Sequence, residues 1–265
     1  MWLRRQSWVQ HTQEHRILAG GPPGRDAEAM SEHKIILVTG VTSGIGEAVA
    51  IRLAGEGHHV VGGARRADRL ATLERENLQV RRVDVTDRAD MTAFVDEAVR
   101  EHGRIDAIVN NAGVMPLSRL EALKVDEWDT MIDVNVRGLL NGIAAALPHF
   151  QRQGHGHFVT MASIGAHQVV PTGAVYCATK YAAWAITEGL RLELDPSIRV
   201  TTISPGVVES ELAQTITDPD AAAAMETYRA ESIPPDAIAR AVSYAVNEPA
   251  DVDVNEVIVR PARQR

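Results

Sequence analysis

The sequence predicts an α/β fold: a single doubly wound domain with about seven parallel strands flanked by helices on both faces. Three observations predict it. Short apolar runs rich in β-branched residues alternate with longer segments whose apolar residues recur at the helical period. The runs are continuous rather than alternating, as strands buried on both faces require. No tandem repeat or linker interrupts the alternation from Ile35 onward.

The first strand is Ile35-Ile36-Leu37-Val38, followed by Thr39-Gly40. Val60-Val61, Val80 with Val83, and Ile105 to Val109 mark the next three. Phe158-Val159 with Met161, then Ile198 to Ile203, then Val257-Ile258-Val259 mark the last three. Between them, Ala48, Val49, Ile51 and Leu53 share one helical face, as do Met91, Phe94, Val95, Ala98 and Val99. Long helices are expected at about 126–150 and 175–194, the second carrying Val175, Ala178, Ala182, Ala185, Ile186, Leu190 and Leu194. His155-Gly156-His157 reads as a loop before the fifth strand. Trp128 and Trp184 read as packing residues, Trp184 at a helix–helix contact, and Cys177 as a small buried hydrophobe.

Composition narrows the function classes. At 265 residues, 45% hydrophobic and 23% charged, the chain has the usage of an ordinary globular protein and can bury a large core. A net charge of -8 disfavours a nucleic-acid partner. The lone Cys177 excludes an intramolecular disulfide and a cysteine-based zinc cluster, and fits a reducing cytosol, so a cytoplasmic location is expected. No apolar run reaches the roughly 20 residues of a membrane helix. Residues 1–29 carry Arg4, Arg5, Arg16 and Arg25 against three acids, with a Gly-Pro-rich loop at 20–24 and no apolar stretch of signal-peptide length. They read as a disordered tail or, because Met30 directly precedes the first strand, as a spurious upstream extension. The domain is placed at 30–265.

Thr39-Gly40-Val41-Thr42-Ser43-Gly44-Ile45-Gly46 joins the first strand to an amphipathic helix. Glycines at such a turn let the backbone approach a pyrophosphate, and the free N–H groups of the helix start attract the anion; Thr42 and Ser43 add hydroxyls. The turn lacks the Gly-Lys-Ser/Thr ending of a nucleoside-triphosphate loop. At the end of the second strand, where an acid would accept from a ribose 2′-OH, stand Arg65 and Arg66. Their fork geometry suits a 2′-phosphate and favours NADP over NAD. The nearest acid, Asp68, is expected on the following helix.

Asn110-Asn111-Ala112-Gly113 follows the fourth strand. Ser163 follows the fifth, and Tyr176-Cys177-Ala178-Thr179-Lys180 opens a helix thirteen residues later. Together with Thr39–Gly46, these stretches resemble the short-chain dehydrogenase/reductase family, from about Ile35 to Arg260. The resemblance implies a Rossmann-type domain and no metal. It implies Tyr176 as proton donor or acceptor, Lys180 as its activator and ribose ligand, and Ser163 as the hydroxyl that positions the substrate oxygen. Asn135 is implied to hold a water linking Lys180 to solvent. Gly40, Thr42, Ser43, Gly44, Ile45 and Gly46, Asp84 with Val85, Asn111-Ala112-Gly113, and Pro205-Gly206 with Val208 are implied to line the cofactor. Where the family often has a threonine four residues after that last glycine, this chain has Ser210.

The residues support the same chemistry on their own terms. A spacing of four puts Tyr176 and Lys180 on one helical face. A free phenol, with a pKa of ~10, is poorly poised at neutrality, and lowering it three units takes about 4 kcal/mol, to be supplied by a nearby ammonium and an oxidised nicotinamide. Specificity is expected from Val114–Leu117, from Gly165–Gly173 with His167 and Gln168 as polar contacts, and from Val207–Tyr228, which contains Glu209, Glu211 and Gln214 and then a polar segment to Asp220 that reads as a mobile lid.

Residues Asp253–Pro261 resemble the branch holding bacterial 3-hydroxy acid dehydrogenases and clavulanate dehydrogenase-like aldehyde reductases, although no arginine cage for a carboxylate is matched. The long helices resemble those that form the family's oligomer contacts, implying a homotetramer or dimer. The expected function is hydride transfer between NADP(H) and a small carbonyl or alcohol substrate. Two competing readings are a catalytically silent NADP(H)-sensing regulator and an interaction protein with a vestigial pocket.

Overall fold

The five residues of β1 (Ile35–Thr39) are all buried, and their side chains alternate between two cores. Ile36 and Val38 point to one face and Ile35 and Leu37 to the other. This alternation, in a computed structural model that describes residues 33–264, organises the whole sheet. Beside β1 lie β2 (His59–Ala64), β3 (Leu78–Arg82), β4 (Ala107–Asn110), β5 (Gly156–Met161), β6 (Ile198–Pro205) and β7 (Glu256–Val259). All pair in parallel, in the order β3-β2-β1-β4-β5-β6-β7. The order in which successive strands are added reverses between β1 and β4, so their carboxyl ends open a crevice there, the place where such sheets take ligands. The readings made for residues 1–29 lie outside the described residues.

Helices α1 (Gly44–Gly55) and α8 (Asp236–Asn247) cover one face. The other is covered by α3 (Arg88–His102), α5 (Gly138–Gln153) and α6 (Ala174–Glu193). The remaining helices are α2 (Ala67–Leu70), α4 (Val125–Ile132) and α7 (Pro219–Tyr228). Asp87 caps α3 by accepting from the N–H groups of Ala89 and Asp90 at 2.8 and 3.2 Å, and Gly103, at φ +78°, closes it. In the second core Phe150 and Phe158 are fully buried with ring centroids 4.9 Å apart, edge to face. Phe158→Ala is expected to cost about 3–5 kcal/mol, read as a lower denaturant midpoint with an unchanged slope.

Two expected elements differ from what forms. The helix expected at 126–150 is two helices, α4 and α5, joined by a π-helical turn over Asp133–Arg137. The buried Asn135 sits in that turn, its amide bonded to Val114 across the cleft. His155-Gly156-His157 is not all loop, because β5 starts at Gly156. His157 is buried with a ring nitrogen 2.8 Å from the Thr201 hydroxyl on β6, and burial holds its pKa well below the ordinary value, with Arg199 adding to the effect. That partner lies on the neighbouring strand and is invisible to local pattern.

Candidate active site

A cleft of about 500 Å³ runs over the carboxyl ends of β1, β2, β4, β5 and β6. Its cofactor-sized end is built on the turn between β1 and α1. Gly40, at φ +74°, lies so near β4 that a Cβ would sit 2.9 Å from the Ala112 Cα. Gly46 is packed so that a Cβ would overlap the Gly40 carbonyl oxygen. Only hydrogen at these positions lets α1 start against the sheet with its first N–H groups facing the cleft. Asn111 locks the arrangement from below, its amide donating to the Thr39 and Gly40 carbonyls at 2.8 and 3.3 Å. Ala112 and Asn111 both donate backbone N–H groups to the Thr39 hydroxyl at 3.1 Å.

Next to the turn, Arg66 lies across it. Its Nε donates to Thr42 Oγ1 at 3.0 Å and one Nη to Ser43 Oγ at 2.8 Å. Asp68 lies on α2, as expected. Arg65 is exposed on the cleft rim, where its charge reaches Asp84. Burial pushes the Asp84 carboxyl up, but hydrogen bonds from Thr86 and the charges of Arg65 and Arg82 outweigh this and hold it below its ordinary pKa. Val85, Ile45, Gly113, Pro205, Gly206 and Val208 line the same cleft. Ser210 comes over the turn from the other side, and a Cβ on Gly44 would stand 3.2 Å from its Cβ.

The chemical end is set by β5 and α6. Ser163 follows β5 and accepts from the Gly165 N–H at 3.0 Å, which fixes its hydroxyl oxygen at the cleft. Tyr176, in the first turn of α6, lines the same cleft, and the Ser163 hydroxyl acts to lower the pKa of its phenol. The Tyr176 ring is partly exposed along the cleft wall, yet enough protein surrounds the phenol that desolvation pushes it up to about 12, with Ser163 working against this. Lys180, one turn on, is 6% exposed. Its ammonium donates to the Met161 carbonyl at 2.8 Å and lies 5.9 Å from the Tyr176 ring centre. Burial lowers its pKa to about 8. Burial thus dominates at the phenol, and the Lys180 ammonium is directed to the Met161 carbonyl of β5.

Asn135 is placed below these groups, 4% exposed. Its Oδ1 accepts from the Val114 N–H at 2.9 Å, and its Nδ2 donates to the Val114 carbonyl and the Thr179 hydroxyl, each at 3.0 Å. The side chain therefore braces the β4 loop against α6, and Asn135 and Lys180 both line one small cavity. Among the expected substrate contacts, Gln168 lines the cleft and His167 does not. The His167 ring points to Glu256 Oε1 at 2.7 Å and Ser204 at 3.3 Å, because β7 offers it a carboxylate. Trp184 is in the same group, its Nε1 3.4 Å from Glu256, so it packs against the sheet edge rather than between helices. Cys177 is buried. Glu211, in the stretch expected to set specificity, lines the cleft, and its partner Arg69, 142 positions away, is marked by no motif.

A glycine-lined turn at the switch point of a parallel sheet, with a buried lysine and the Ser163 and Tyr176 hydroxyls at the far end of the same cleft, is the arrangement of a dinucleotide-using enzyme. Residues 34–221 match the family described as short chain dehydrogenase. An uncharacterized oxidoreductase of Staphylococcus saprophyticus is 45% identical over 238 residues, 87% of this chain and 97% of the relative. Among solved structures, the closed form of serine dehydrogenase complexed with NADP+ is similar with a TM-score of 0.79 at 33% identity, over 85% of this chain and 94% of that one. An alcohol dehydrogenase from the archaeon Thermococcus sibiricus complexed with 5-hydroxy-NADP has a TM-score of 0.78 at 31% identity, over 88% and 99%. The chain belongs to the short chain dehydrogenase family of oxidoreductases. No helix among the described residues is long and apolar enough to cross a membrane.

Proposed function

We propose that this protein is an NADP(H)-dependent oxidoreductase that interconverts a small carbonyl compound and its alcohol, with Tyr176 moving the proton. The observation that carries the reading is that the Ser163 and Tyr176 side chains line one cleft together with a buried Lys180. A dinucleotide fits the rest of it. The turn at Gly40–Gly46 leaves no room for a Cβ at Gly40 or Gly46 and offers backbone N–H groups to a pyrophosphate. Arg65 and Arg66 would hold the 2′-phosphate of the adenosine ribose, Asp84 and Val85 the adenine, and Pro205, Gly206 and Val208 the nicotinamide, since all of them line this cleft. NADP(H), when bound, supplies or takes up the hydride.

The chain's own groups do the rest. The Ser163 hydroxyl donates to the substrate oxygen and orients it. Tyr176, protonated at neutral pH, delivers its proton to that oxygen as negative charge builds on it during reduction. Lys180 holds positive charge beside the phenol and would bind the ribose, and Asn135 keeps the Val114 loop and α6 in register. Met115, Leu117, Ile164, Val170, Leu212 and Met225 make the substrate end mainly apolar and exclude water. Exposed Leu140, Tyr181 and Leu192 on α5 and α6 support a homo-oligomer.

Fluorescence titration tests the cofactor reading: NADPH is expected to bind at least ten-fold more tightly than NADH, about 1.4 kcal/mol. Arg65→Ala is expected to remove most of that preference, and equal affinities in the unaltered protein would overturn it. A silent regulator would bind NADPH and turn over no aldehyde, ketone, 3-hydroxy acid or secondary alcohol in an absorbance screen. The complete Ser163, Tyr176 and Lys180 set favours the enzyme.

A further inference from the structure

Glu211 opens a short helical turn, Glu211–Thr215, in the segment that leaves β6 and crosses the cleft. Its carboxylate is held from two sides. Arg69 Nη1 donates to both oxygens at 2.7 Å, and Arg66 Nη1 donates to Oε2 at 2.9 Å. Arg66 reaches the acid from the same guanidinium that contacts Thr42 and Ser43, and Arg69 also lies 3.5 Å from the Thr42 carbonyl. Ser210, the preceding residue, is the one that presses on Gly44. The guanidinium groups beside the glycine turn are therefore already bonded to an anion that belongs to the protein itself. The two arginines hold Glu211 ionised, with its carboxyl lowered to about 2.

We propose that Glu211 sets cofactor specificity by competition: its carboxylate occupies Arg66 and Arg69, and the 2′-phosphate of NADP(H) must displace it to bind. The inference rests on the NADP reading above. A carboxylate and a phosphate monoester seek the same forked donors, and two anions on one guanidinium pair repel each other. Arg65 makes no ion pair among the described residues, so it is the group free to meet the incoming phosphate first. A dinucleotide with a bare ribose has no charge with which to displace Glu211. The acid therefore penalises the phosphorylated cofactor selectively and narrows a preference that three arginines would otherwise make large.

The test is the affinity of the unaltered protein, Glu211→Gln and Glu211→Asp for NADPH, NADH, adenosine 2′,5′-bisphosphate and adenosine 5′-monophosphate. These pairs are half-exposed, so the expected effect is moderate. Glu211→Gln should tighten NADPH and the bisphosphate about five-fold, or about 1 kcal/mol, and change NADH and the monophosphate less than about two-fold. Glu211→Asp, which keeps the charge, should stay nearer the unaltered protein. Unchanged or weaker NADPH binding by Glu211→Gln would overturn the proposal. So would an equal gain for NADH and the monophosphate, which would mean that the segment merely opens. If the unaltered protein binds NADPH and NADH alike, the NADP reading fails. In that case a Glu211→Gln protein that prefers NADPH still upholds the competition, and one with no preference overturns both.

Discussion

Tyr176→Phe is expected to lower carbonyl reduction by roughly three orders of magnitude while leaving NADPH affinity within a few-fold. The substitution removes one oxygen from a ring whose carbon frame already fits between Gly165 and Lys180, so the cleft keeps its shape. It removes the proton that the developing alkoxide needs. Ser163 cannot replace it, because its role is to donate a hydrogen bond, and its oxygen is already held by the Gly165 N–H. The loss should fall on kcat rather than KM, since the proton moves only in the transition state. Direction matters to the pH profile. With the phenol pushed up to about 12, reduction has its proton in place throughout the neutral range. Alcohol oxidation needs the phenolate, so its rate should climb with pH across the alkaline range, and that climb should vanish in Tyr176→Phe. Retained turnover in the variant, measured as NADPH absorbance, would remove Tyr176 from the reaction.

What was readable in the sequence follows how local each feature is. The strands were readable because a strand covered on both faces has to be continuously apolar, as Ile35–Val38 and Phe158–Val159 are. The glycine turn, Ser163, Tyr176 and Lys180 were readable because their spacing along the chain is the spacing the site needs. The break between α4 and α5 was not readable: the π-helical turn follows from the hold of Asn135 on Val114, 21 residues away. His167 was misplaced for the same kind of reason, since the carboxylate that draws it out of the cleft belongs to Glu256 on the last strand. Arg66 was picked out, but its partner Glu211 lies 145 residues further on, and no period or motif connects them. Side chains whose roles depend on the sheet bringing distant loops together are the ones sequence pattern misses.

Lys180→Met is expected to give a protein that is inactive yet more stable at pH 7. The ammonium is 6% exposed and donates to the Met161 carbonyl. Burial lowers its pKa from 10.5 to about 8, so the folded chain holds this proton less tightly than the unfolded chain does. Below about pH 8 both states are protonated and the folded state carries the whole penalty, about 3 kcal/mol for a shift of this size. Between about 8 and 10.5 only the unfolded state keeps the proton, so stability rises with pH, and above 10.5 the penalty is gone. Methionine abolishes the penalty but leaves the Met161 carbonyl without its donor, at about 1 kcal/mol. The net gain is about 2 kcal/mol at pH 7, turning into a loss of about 1 kcal/mol above pH 10.5. Urea unfolding at the two pH values reads both signs. A Lys180→Met protein no more stable than the parent at pH 7 would mean that the buried ammonium carries no such cost. A crossover would show that the fold accepts a destabilising charge at the one place where the proposed chemistry requires it.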